Sequence, residues 1–554
     1  MEPVQELTFT NPSTGETFGT MPMTPPSAVQ AAINELRANH RWWSRTPVED
    51  RIRILNRFHQ VMIDECDLIT ETISLDTGKS RSDALQEVIL TADLLTQYSR
   101  HAPEWLQTHS VPRGLYLTKK CFVEYRPHGV VAVIGPWNLP FTLVVRPMLA
   151  ALLAGNTVIL KPSEVSAATG QLIEKLFQRV PELTPYVRVV HGDGTVGAAV
   201  VEAGPDYIFL TGSTATGKKI SRAAAERLIP VACELGGKDP TLVLDDADVS
   251  AAARWSVWGA FFNAGQACVG VERVYVVDAV YDEFVSEAIR YTREIKQGFT
   301  LEKESPYHIG PMTFPRQVEI VREHLQDAVA RGARIILGGK INGMYIEPTI
   351  VLDATPDMAL MRDETFGPVL PIVRVRDEQE AIQLANDSRF GFGASVWSQD
   401  HAHARRVAGE LHCADILIND ALCQFAVPML PVGGIGDSGS GRFQGQEGFM
   451  QFVRSHAYLE GGAPLPFDPA TILREPGHYE FGKVILKTMF GANWHQRAEP
   501  VQTLTARGLK NLRAGKLAES FEQAPPEKRR LMAGAALGVL GAVAAAAFFL
   551  RRKS

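Results

Sequence analysis

A cysteine behind a glycine-containing loop is the first residue that suits chemistry on a carbonyl carbon. Cys268 follows the segment Asn263-Ala-Gly-Gln-Ala and precedes a predicted strand. A thiolate nucleophile needs partial exposure and nearby hydrogen-bond donors that lower its pKa, and such a loop could supply both. A cysteine taken alone is more often a small core residue, so the segment by itself leaves both interpretations open.

A glutamate in an apolar setting is the candidate base. Glu234 lies in Cys233-Glu-Leu-Gly-Gly-Lys238, and its apolar neighbours predict that it is at least partly buried. Burial raises the pKa of a carboxyl group and makes it a usable general base near neutral pH. The alternative is a structural carboxylate that pairs with Lys238.

An asparagine after an apolar strand is the candidate oxyanion donor. Asn138 lies between Trp137 and Leu139 in the segment Gly135-Pro-Trp-Asn-Leu-Pro140. Its neutral amide N–H could stabilise a negative charge that develops on a carbonyl oxygen. Read alone, an asparagine in such a loop is more often a turn residue.

Two further loops after predicted strands suit a phosphate and a ribose. Thr211-Gly-Ser-Thr-Ala-Thr-Gly217 ends a strand and opens a helix, whose first N–H groups could bind a phosphate. Lys161 and Glu164 follow another strand and suit ribose hydroxyls. Each signal is weak alone, because glycine turns after strands are common.

The elements that must position these residues alternate between helix and strand. Apolar spacing predicts helices from about residue 27 to 110, and a basic turn within 115–129 predicts a strand pair. Short β-branched runs predict strands at 129–135, 157–160, 187–190, 207–210, 271–277, 334–337 and 371–375. The alternation predicts a parallel, doubly wound sheet, which binds ligands at the carboxyl ends of its strands.

Length and composition limit the class of protein. The chain has 554 residues, enough for two or three domains, and its formal net charge of −6 argues against a nucleic-acid partner. None of the six cysteines forms a C-x-x-C pair, so we expect no metal site of the zinc-ribbon kind and no thioredoxin-type motif. Residues 1–10 lack the apolar stretch of a secretory signal.

The motifs together resemble the aldehyde dehydrogenase superfamily. The match runs from Asn11 to about Tyr458, some four-fifths of the chain. Its most specific part is Glu234-Leu-Gly-Gly-Lys followed by Gly265-Gln-Ala-Cys268, with Glu and Cys 34 positions apart. The other matching segments are Asn11-Pro-Ser-Thr-Gly15, Pro136-Trp-Asn-Leu-Pro140, Lys161-Pro-Ser-Glu164, Gly212-Ser-Thr214 and Glu364-Thr-Phe-Gly-Pro368.

The resemblance implies a role for each matched residue. Cys268 would be the nucleophile, Glu234 the base for the deacylating water, and Asn138 with the Cys268 backbone N–H the oxyanion hole. The residues implied to bind the dinucleotide cofactor are Trp137, Lys161, Glu164, Gly212, Ser213, Leu235, Glu364 and Phe366. The carboxylate of Glu164 favours NAD, because it repels a 2′-phosphate, and NADP remains an option.

The implied reaction is the oxidation of an aldehyde to a carboxylic acid with NAD(P)+. It would proceed through a thiohemiacetal and a thioester on Cys268, and Glu234 would assist hydrolysis. Members of the family that transfer the acyl group to coenzyme A commonly lack this base. A catalytically vestigial membrane scaffold and a cofactor-independent thioester or ester hydrolase are the alternatives from other classes.

The implied fold is α/β, with three parts. A Rossmann-like NAD(P)-binding domain would span 1–108 and 128–236, and an α/β catalytic domain 237–440. A small β oligomerisation flap would comprise 109–127 and 441–462, and we expect a homodimer through it.

The C-terminal residues depart from most soluble members of the family. Residues 531–550 are an unbroken apolar run between the basic flanks Lys528-Arg-Arg530 and Arg551-Arg-Lys553, which predicts a single transmembrane helix. A buried core helix is the alternative. Residues 463–530 would be a linker, with either an interfacial helix or a solvated surface helix near 507–516.

This architecture resembles that of fatty aldehyde dehydrogenases. We therefore expect an anchored enzyme with a cytosolic body, bound to the bilayer through its C-terminal helix, that acts on medium- or long-chain or otherwise apolar aldehydes. The core motifs do not distinguish these substrates from small semialdehydes or aromatic aldehydes.

Overall fold

A computed structural model describes residues 5–114 and 119–461 of the chain. It also describes the separate positions Tyr479, Lys483, Leu486, Lys487, Phe490, Gly491 and Pro525. The chain divides into two compact units. The first comprises the residues up to Gln107 and Glu124–His456, and the second comprises Thr108–Val123 and the residues from Ala457 onward.

Helices and strands alternate along most of the described chain. A hairpin and four helices come first: β1 (Glu6–Thr10), β2 (Thr17–Pro22), α1 (Pro26–Trp43), α2 (Val48–Asp64), α3 (Cys66–Thr77) and α4 (Arg81–Trp105). Nine strands and five helices follow: β3 (His109–Ser110), β4 (Lys120–Pro127), β5 (Val130–Ile134), α5 (Thr142–Leu153), β6 (Thr157–Lys161), α6 (Ala167–Gln178), β7 (Val187–Val189), α7 (Gly194–Glu202), β8 (Tyr207–Thr211), α8 (Thr214–Ala225), β9 (Val231–Glu234), β10 (Pro240–Val243), α9 (Val249–Phe261) and β11 (Arg273–Val277).

The remaining elements continue this alternation. They are α10 (Asp278–Arg293), α11 (Pro315–Ala330), β12 (Arg334–Leu337), β13 (Ile341–Asn342), β14 (Tyr345–Ile346), β15 (Thr349–Leu352), α12 (Ala359–Arg362), β16 (Val369–Val375), α13 (Glu378–Asn386), β17 (Phe390–Gly391), β18 (Gly393–Trp397), α14 (His401–Ala408), β19 (Asp415–Ile418), β20 (Ile435–Gly436), β21 (Gly439–Ser440), α15 (Gly445–Met450) and β22 (Val453–Glu460).

The first large sheet brings several strand ends to one edge. Its order is β21-β9-β8-β5-β6-β7, and all neighbours except β21 and β9 are parallel. Ile134 pairs with Lys161, and Thr211 pairs with Glu234, in the last rungs of their ladders. Every residue of β5, β6 and β8 is buried, as expected for a parallel sheet covered on both faces.

The second large sheet has the order β12-β15-β16-β11-β10-β18-β19. All of its neighbours are parallel except β12 and β15. The two sheets confirm the predicted α/β fold with a Rossmann-like parallel sheet. The strands predicted at 129–135, 157–160, 207–210 and 334–337 are present within one or two residues of their predicted bounds.

Three sequence predictions have other outcomes. In the second unit, β4 pairs antiparallel with β3 through Phe122 and Ser110, whereas the predicted first strand of this pair included 115–118, which lie outside the described residues. The predicted transmembrane run 531–550 and most of 463–530 lie outside them too. No helix in the described part of the chain is long and apolar enough to cross a membrane. The domain boundaries stay predictions.

A buried ion pair joins α4 to the start of α5. The Lys79 ammonium donates to Glu87 Oε1 at 2.9 Å, and both side chains are at most 2% exposed. Glu87 Oε2 accepts hydrogen bonds from the backbone amides of Phe141 and Thr142, at 2.9 and 3.1 Å. These amides belong to the first turn of α5, where no earlier carbonyl is available to accept them.

Replacement of Glu87 by alanine should lower the free energy of unfolding by about 3–5 kcal/mol. The Lys79 ammonium and the amides of Phe141 and Thr142 would then be buried without the carboxylate that accepts from them. Denaturant unfolding followed by circular dichroism would measure the change. The control is Glu71→Ala, whose carboxylate is half exposed and contacts Arg81 at 3.4 Å, and which should cost no more than about 0.5 kcal/mol. Equal losses in both variants would contradict the assigned role of Glu87.

Candidate active site

One cavity of about 560 Å³ in the first unit collects the residues that the sequence singled out. It lies at the edge where the parallel strands of the first sheet end. All eleven predicted site residues line it: Trp137, Asn138, Lys161, Glu164, Gly212, Ser213, Glu234, Leu235, Cys268, Glu364 and Phe366. The structure therefore brings both predicted groups, catalytic and cofactor-binding, into one continuous space.

Cys268 is presented by a left-handed turn after α9. Asn263, Ala264 and Gly265 have positive φ angles of 51°, 56° and 75°, so the chain reverses directly after Phe261. A Cβ at Gly265 would overlap the backbone of Gly367, which explains the need for glycine there. Cys268 itself is partly exposed and lines the cavity.

The thiol of Cys268 is in a setting that favours its neutral form in this structure. Burial raises its pKa, and the carboxyl groups of Glu364, Asp239 and Glu234 raise it further. Thiolate formation therefore requires either a base or a nearby positive charge at the moment of reaction.

Asn138 is fixed through both its backbone and its side chain. Its carbonyl oxygen accepts hydrogen bonds from Lys79 Nζ at 2.6 Å and from Asn263 Nδ2 at 3.1 Å. Its own Nδ2 donates to the carbonyl oxygen of Gln266 at 3.0 Å, which leaves the second amide hydrogen for another acceptor. The asparagine is 4% exposed and belongs to the wall of the cavity rather than to a surface turn.

Glu234 ends β9 in a dry position. Only 2% of the residue is exposed, and neither carboxyl oxygen has a hydrogen-bond partner among the described residues. Burial raises its pKa well above the usual value, Asp415 adds to this rise, and Arg442 opposes it. Lys238 donates instead to Glu272 Oε2 at 2.5 Å, so the structural pairing of Glu234 with Lys238 that the sequence left open does not occur.

Two loops at the other end of the cavity offer polar groups to a dinucleotide. Lys161 Nζ donates to Glu164 Oε2 at 2.8 Å, with the lysine buried and the carboxylate partly exposed. Ser213 caps α8 by accepting from the Thr216 amide, and Gly212 presents no side chain before this helix start. The hydroxyl of Thr211, which also lines the cavity, is buried without a partner among the described residues.

Aromatic rings and a carboxyl group close the space between these loops and Cys268. The rings of Trp137 and Phe366 meet edge to face, with centroids 5.6 Å apart. Phe366 has a positive φ of 48°, and its amide donates to Glu272 Oε1 at 2.9 Å. Glu364 accepts from the Gly237 amide at 3.1 Å, and burial raises the pKa of its carboxyl group to about 8.

Several residues that fix the site were not identified from the sequence. Lys79 and Glu87 lie about 50 to 60 positions before the asparagine that they support, and no motif connects them. Asn263 and Gln266 stood within the quoted loop, but their bonds to Asn138 depend on its left-handed turn. The one available signal was a charged residue, Glu87, on the apolar face of a predicted helix.

Known proteins that resemble the chain agree on one family. The model of the aldehyde dehydrogenase family matches residues 2–457. A 4,4'-diapolycopene aldehyde oxidase of Methylomonas sp is 40% identical over 484 residues, 87% of this chain and 91% of that protein. A putative succinate-semialdehyde dehydrogenase (NADP(+)) 2 of Mycobacterium tuberculosis is 33% identical over 448 residues, 80% of this chain and 86% of that protein.

The fold agrees with the sequence match. The solved structure of a putative aldehyde dehydrogenase, PutA, from Anabaena variabilis superimposes with a TM-score of 0.80 at 32% identity and covers 84% of this chain and 99% of its own. Because the family match spans most of the chain and includes the whole cavity, the chain belongs to the aldehyde dehydrogenase family and is an enzyme of aldehyde oxidation.

Proposed function

We propose that this enzyme oxidises its aldehyde to a carboxylic acid through a thioester on Cys268, which Glu234 helps to hydrolyse. The observation that carries the proposal is the buried carboxyl group of Glu234, which has no partner among the described residues and lines the same cavity as Cys268. An unpaired carboxyl group in a dry site is costly unless it is neutral or has a water or substrate to act on.

In the first step the Cys268 thiol gives its proton to water in the cavity, and the thiolate sulfur adds to the aldehyde carbon. The carbonyl oxygen gains negative charge, and it would accept hydrogen bonds from the second amide hydrogen of Asn138 and from the Cys268 backbone N–H. Lys79, Asn263 and the Gln266 carbonyl support this role, because together they fix the Asn138 amide before substrate arrives. A bound nicotinamide dinucleotide supplies the acceptor for the hydride that leaves this carbon.

The second step releases the acid. Glu234 takes a proton from water, the water oxygen bonds to the thioester carbon, and the bond from that carbon to the Cys268 sulfur breaks. Burial raises the pKa of Glu234, so its carboxylate is a stronger base than an exposed one. The presence of a base at this position favours water over coenzyme A as the acyl acceptor.

The cavity fits a nicotinamide dinucleotide by its donor set. Lys161, Glu164 and the start of α8 after Gly212 and Ser213 would hold the adenosine ribose and pyrophosphate. The unpartnered Thr211 hydroxyl adds a polar group at the same strand end. Trp137, Leu235, Glu364 and Phe366 would enclose the nicotinamide end.

NAD is the cofactor that we propose, with NADP as a second cofactor. The mycobacterial relative carries NADP in its name, and the Lys161 ammonium could pair with a 2′-phosphate if Glu164 turned away.

The substrate class that we propose is an apolar aldehyde of medium or long chain. The Methylomonas relative is named for 4,4'-diapolycopene aldehyde, and the apolar run 531–550 would place the body at a membrane, facing the cytosol. A small semialdehyde is the second candidate, because the mycobacterial relative is named for one. A homodimer through the predicted flap stays a prediction.

Replacement of Glu234 by glutamine should separate the two steps. The variant should form about one equivalent of reduced cofactor per active site in a burst, followed by a steady rate at least about 100-fold below wild type, because acylation is retained and hydrolysis lacks its base. The wild-type steady rate should keep rising with pH above the usual titration range of a carboxyl group, since the base must ionise against a raised pKa. The variant should lack this rise.

Stopped-flow absorbance of the reduced nicotinamide measures both phases. Cys268→Ala should show neither phase, and Cys66→Ala, at a free cysteine outside the cavity, should match wild type. An undiminished steady rate in Glu234→Gln would refute its role as the base.

Replacement of Glu164 by glutamine should tighten the binding of NADP relative to NAD, because it removes the negative charge that repels a 2′-phosphate. Quenching of protein fluorescence by each cofactor gives the two dissociation constants without turnover. The control is Glu202→Gln, another carboxylate in the cavity lining, which should leave their ratio unchanged. If the ratio of the NAD and NADP dissociation constants is the same in Glu164→Gln as in wild type, residues other than Glu164 determine the preference between the two cofactors.

The full chain should float with phosphatidylcholine vesicles in a density gradient, whereas a chain that ends at Glu527 should remain at the bottom, because it lacks the apolar run.

In the same preparations, kcat/KM should rise along the series from butanal to hexadecanal. Turnover confined to succinic semialdehyde would keep the enzyme and discard the apolar substrate, and flotation of both chains would discard the anchor.

A further inference from the structure

The turn 364–367 forms part of the cavity wall in a backbone conformation that its residue types do not favour. Glu364 and Phe366 line the cavity. The φ angle of Phe366 is 48°, in the left-handed region, which a residue with a large side chain adopts only where its surroundings impose it. The groups that hold this turn therefore determine where the Phe366 ring and the Glu364 carboxyl group lie.

The carboxylate of Glu272 holds the turn through two consecutive backbone amides. Its Oε2 accepts from the Thr365 amide at 3.2 Å, and its Oε1 accepts from the Phe366 amide at 2.9 Å. Successive N–H groups that face the same side of a turn form a concave site for an anion. A buried carboxylate in that site fixes the turn with two charge-assisted hydrogen bonds.

The other polar groups of Thr365 are held as well. Lys238 Nζ donates to Glu272 Oε2 at 2.5 Å and to the Thr365 hydroxyl at 3.0 Å. His324 Nδ1 lies 3.2 Å from the same hydroxyl, and Gln317 Nε2 donates to the Thr365 carbonyl oxygen at 2.7 Å. The amide, the hydroxyl and the carbonyl of this fully buried threonine therefore all have partners, and the backbone of the turn is fixed on every side.

The Lys238–Glu272 ion pair connects three segments of the chain that the reaction uses. Lys238 comes four positions after Glu234, and Glu272 comes four positions after Cys268. Both members of the pair bind the turn 364–367. One buried pair thus joins the segment of the base, the segment of the nucleophile and the turn.

Glycines bring these segments into close contact. A Cβ built on Gly236 would lie 2.2 Å from Glu364 Oε2, and a Cβ built on Gly265 would lie 2.2 Å from the carbonyl oxygen of Gly367. The turn therefore packs directly against the chain before Lys238 and against the loop that leads to the nucleophile. A change in the turn alters the shape of the cavity at this end.

We propose that Glu272 is a positioning residue for hydride transfer. Together with Lys238 it holds the turn 364–367, so that the nicotinamide end of the cofactor lies against the carbon atom bound to Cys268. The inference rests on the proposed function, which assigns this turn to the nicotinamide end. Glu272 does not line the cavity, so it acts through the turn rather than by contact with the cofactor or the substrate.

The proposal predicts that the two halves of the cofactor respond differently to a loss of the pair. The adenosine end of the cavity is formed by the loop of Lys161 and Glu164 and by the start of α8. Hydrolysis of the thioester uses Glu234 and water and needs no nicotinamide. Loosening of the turn should therefore weaken binding of the nicotinamide and slow hydride transfer, and leave adenosine binding and thioester hydrolysis intact.

Binding by the full chain with Glu272→Gln tests the first part. Glutamine keeps the shape of the side chain but replaces one acceptor oxygen by an NH₂ group and removes the negative charge that faces Lys238. The dissociation constant of NADH, divided by that of ADP-ribose, should rise by about 5-fold or more, because ADP-ribose lacks the nicotinamide. Quenching of protein fluorescence gives both constants without turnover.

Kinetics with and without cofactor test the second part. With NAD and octanal, the burst of reduced cofactor in Glu272→Gln should be about 10-fold slower than in wild type. Deuterium at C1 of octanal should slow the steady rate of the variant more than that of wild type, because hydride transfer then limits turnover. Hydrolysis of p-nitrophenyl acetate without cofactor acylates and deacylates Cys268, and its burst and steady rate should match wild type.

A second variant and a control make the result specific. Thr365→Val removes the hydroxyl that Lys238 contacts and keeps the shape of the side chain and both amide bonds to Glu272, so it should shift the same readouts by a smaller factor. The control is Asp206→Asn, because Asp206 accepts from the Val130 amide at 2.8 Å at the opposite edge of the first sheet. It should leave every readout unchanged.

The outcomes separate the positioning role from the proposed function. A wild-type chain without a nitrophenolate burst, or a burst that survives Cys268→Ala, would overturn the thioester mechanism, whereas the two dissociation constants still test the role of Glu272. An unchanged ratio of these constants, with a normal burst of reduced cofactor, would overturn the positioning role alone. Equal losses of NADH binding, ADP-ribose binding and ester hydrolysis would also overturn it, because the pair would then serve folding. If Glu272→Gln does not fold, a wild-type profile in Thr365→Val has the same meaning.

Discussion

The site depends on the exclusion of water from a place where several carboxyl groups meet. Glu234 and Glu364 border Cys268, and the burial of each raises its pKa. In bulk water such groups would be fully ionised at neutral pH and would repel a thiolate, whereas burial favours their neutral form and so weakens this repulsion. The large cavity at the strand ends provides that environment, so the fold controls the chemistry mainly through burial.

Buried ion pairs near the cavity compensate for the loss of hydration in this dry environment. Lys79 and Glu87 neutralise each other and use their remaining hydrogen-bonding capacity on Asn138 and on the first turn of α5. Lys238 and Glu272 form a second buried pair, and the Glu272 carboxylate also accepts from the Phe366 amide. Neither lysine contacts Glu234, whose carboxyl oxygens have no hydrogen-bond partner among the described residues.

The fold and the residues that line the large cavity could be predicted from the sequence, because strand periodicity and short motifs are local. Cys268, Glu234 and Asn138 were found in this way, and so was the Lys161 to Glu164 loop. What could not be predicted arises from contacts between distant segments. The support of Asn138 by Lys79 and the choice of Glu272 as the partner of Lys238 depend on the packing of α4, β9 and β11. The polar end of a long side chain selects its partner only once such elements are in place.

Two glycines show why a pattern of residue types also missed the buried aspartates Asp415 and Asp239. Neither Gly433 nor Gly393 has a side chain, and the carboxyl groups of Glu234 and Asp239 lie where a side chain at these positions would be. Which carboxyl groups lie there depends on how the surrounding strands pack. The start of β19 places Asp415 between these glycines, within electrostatic reach of both Glu234 and Asp239.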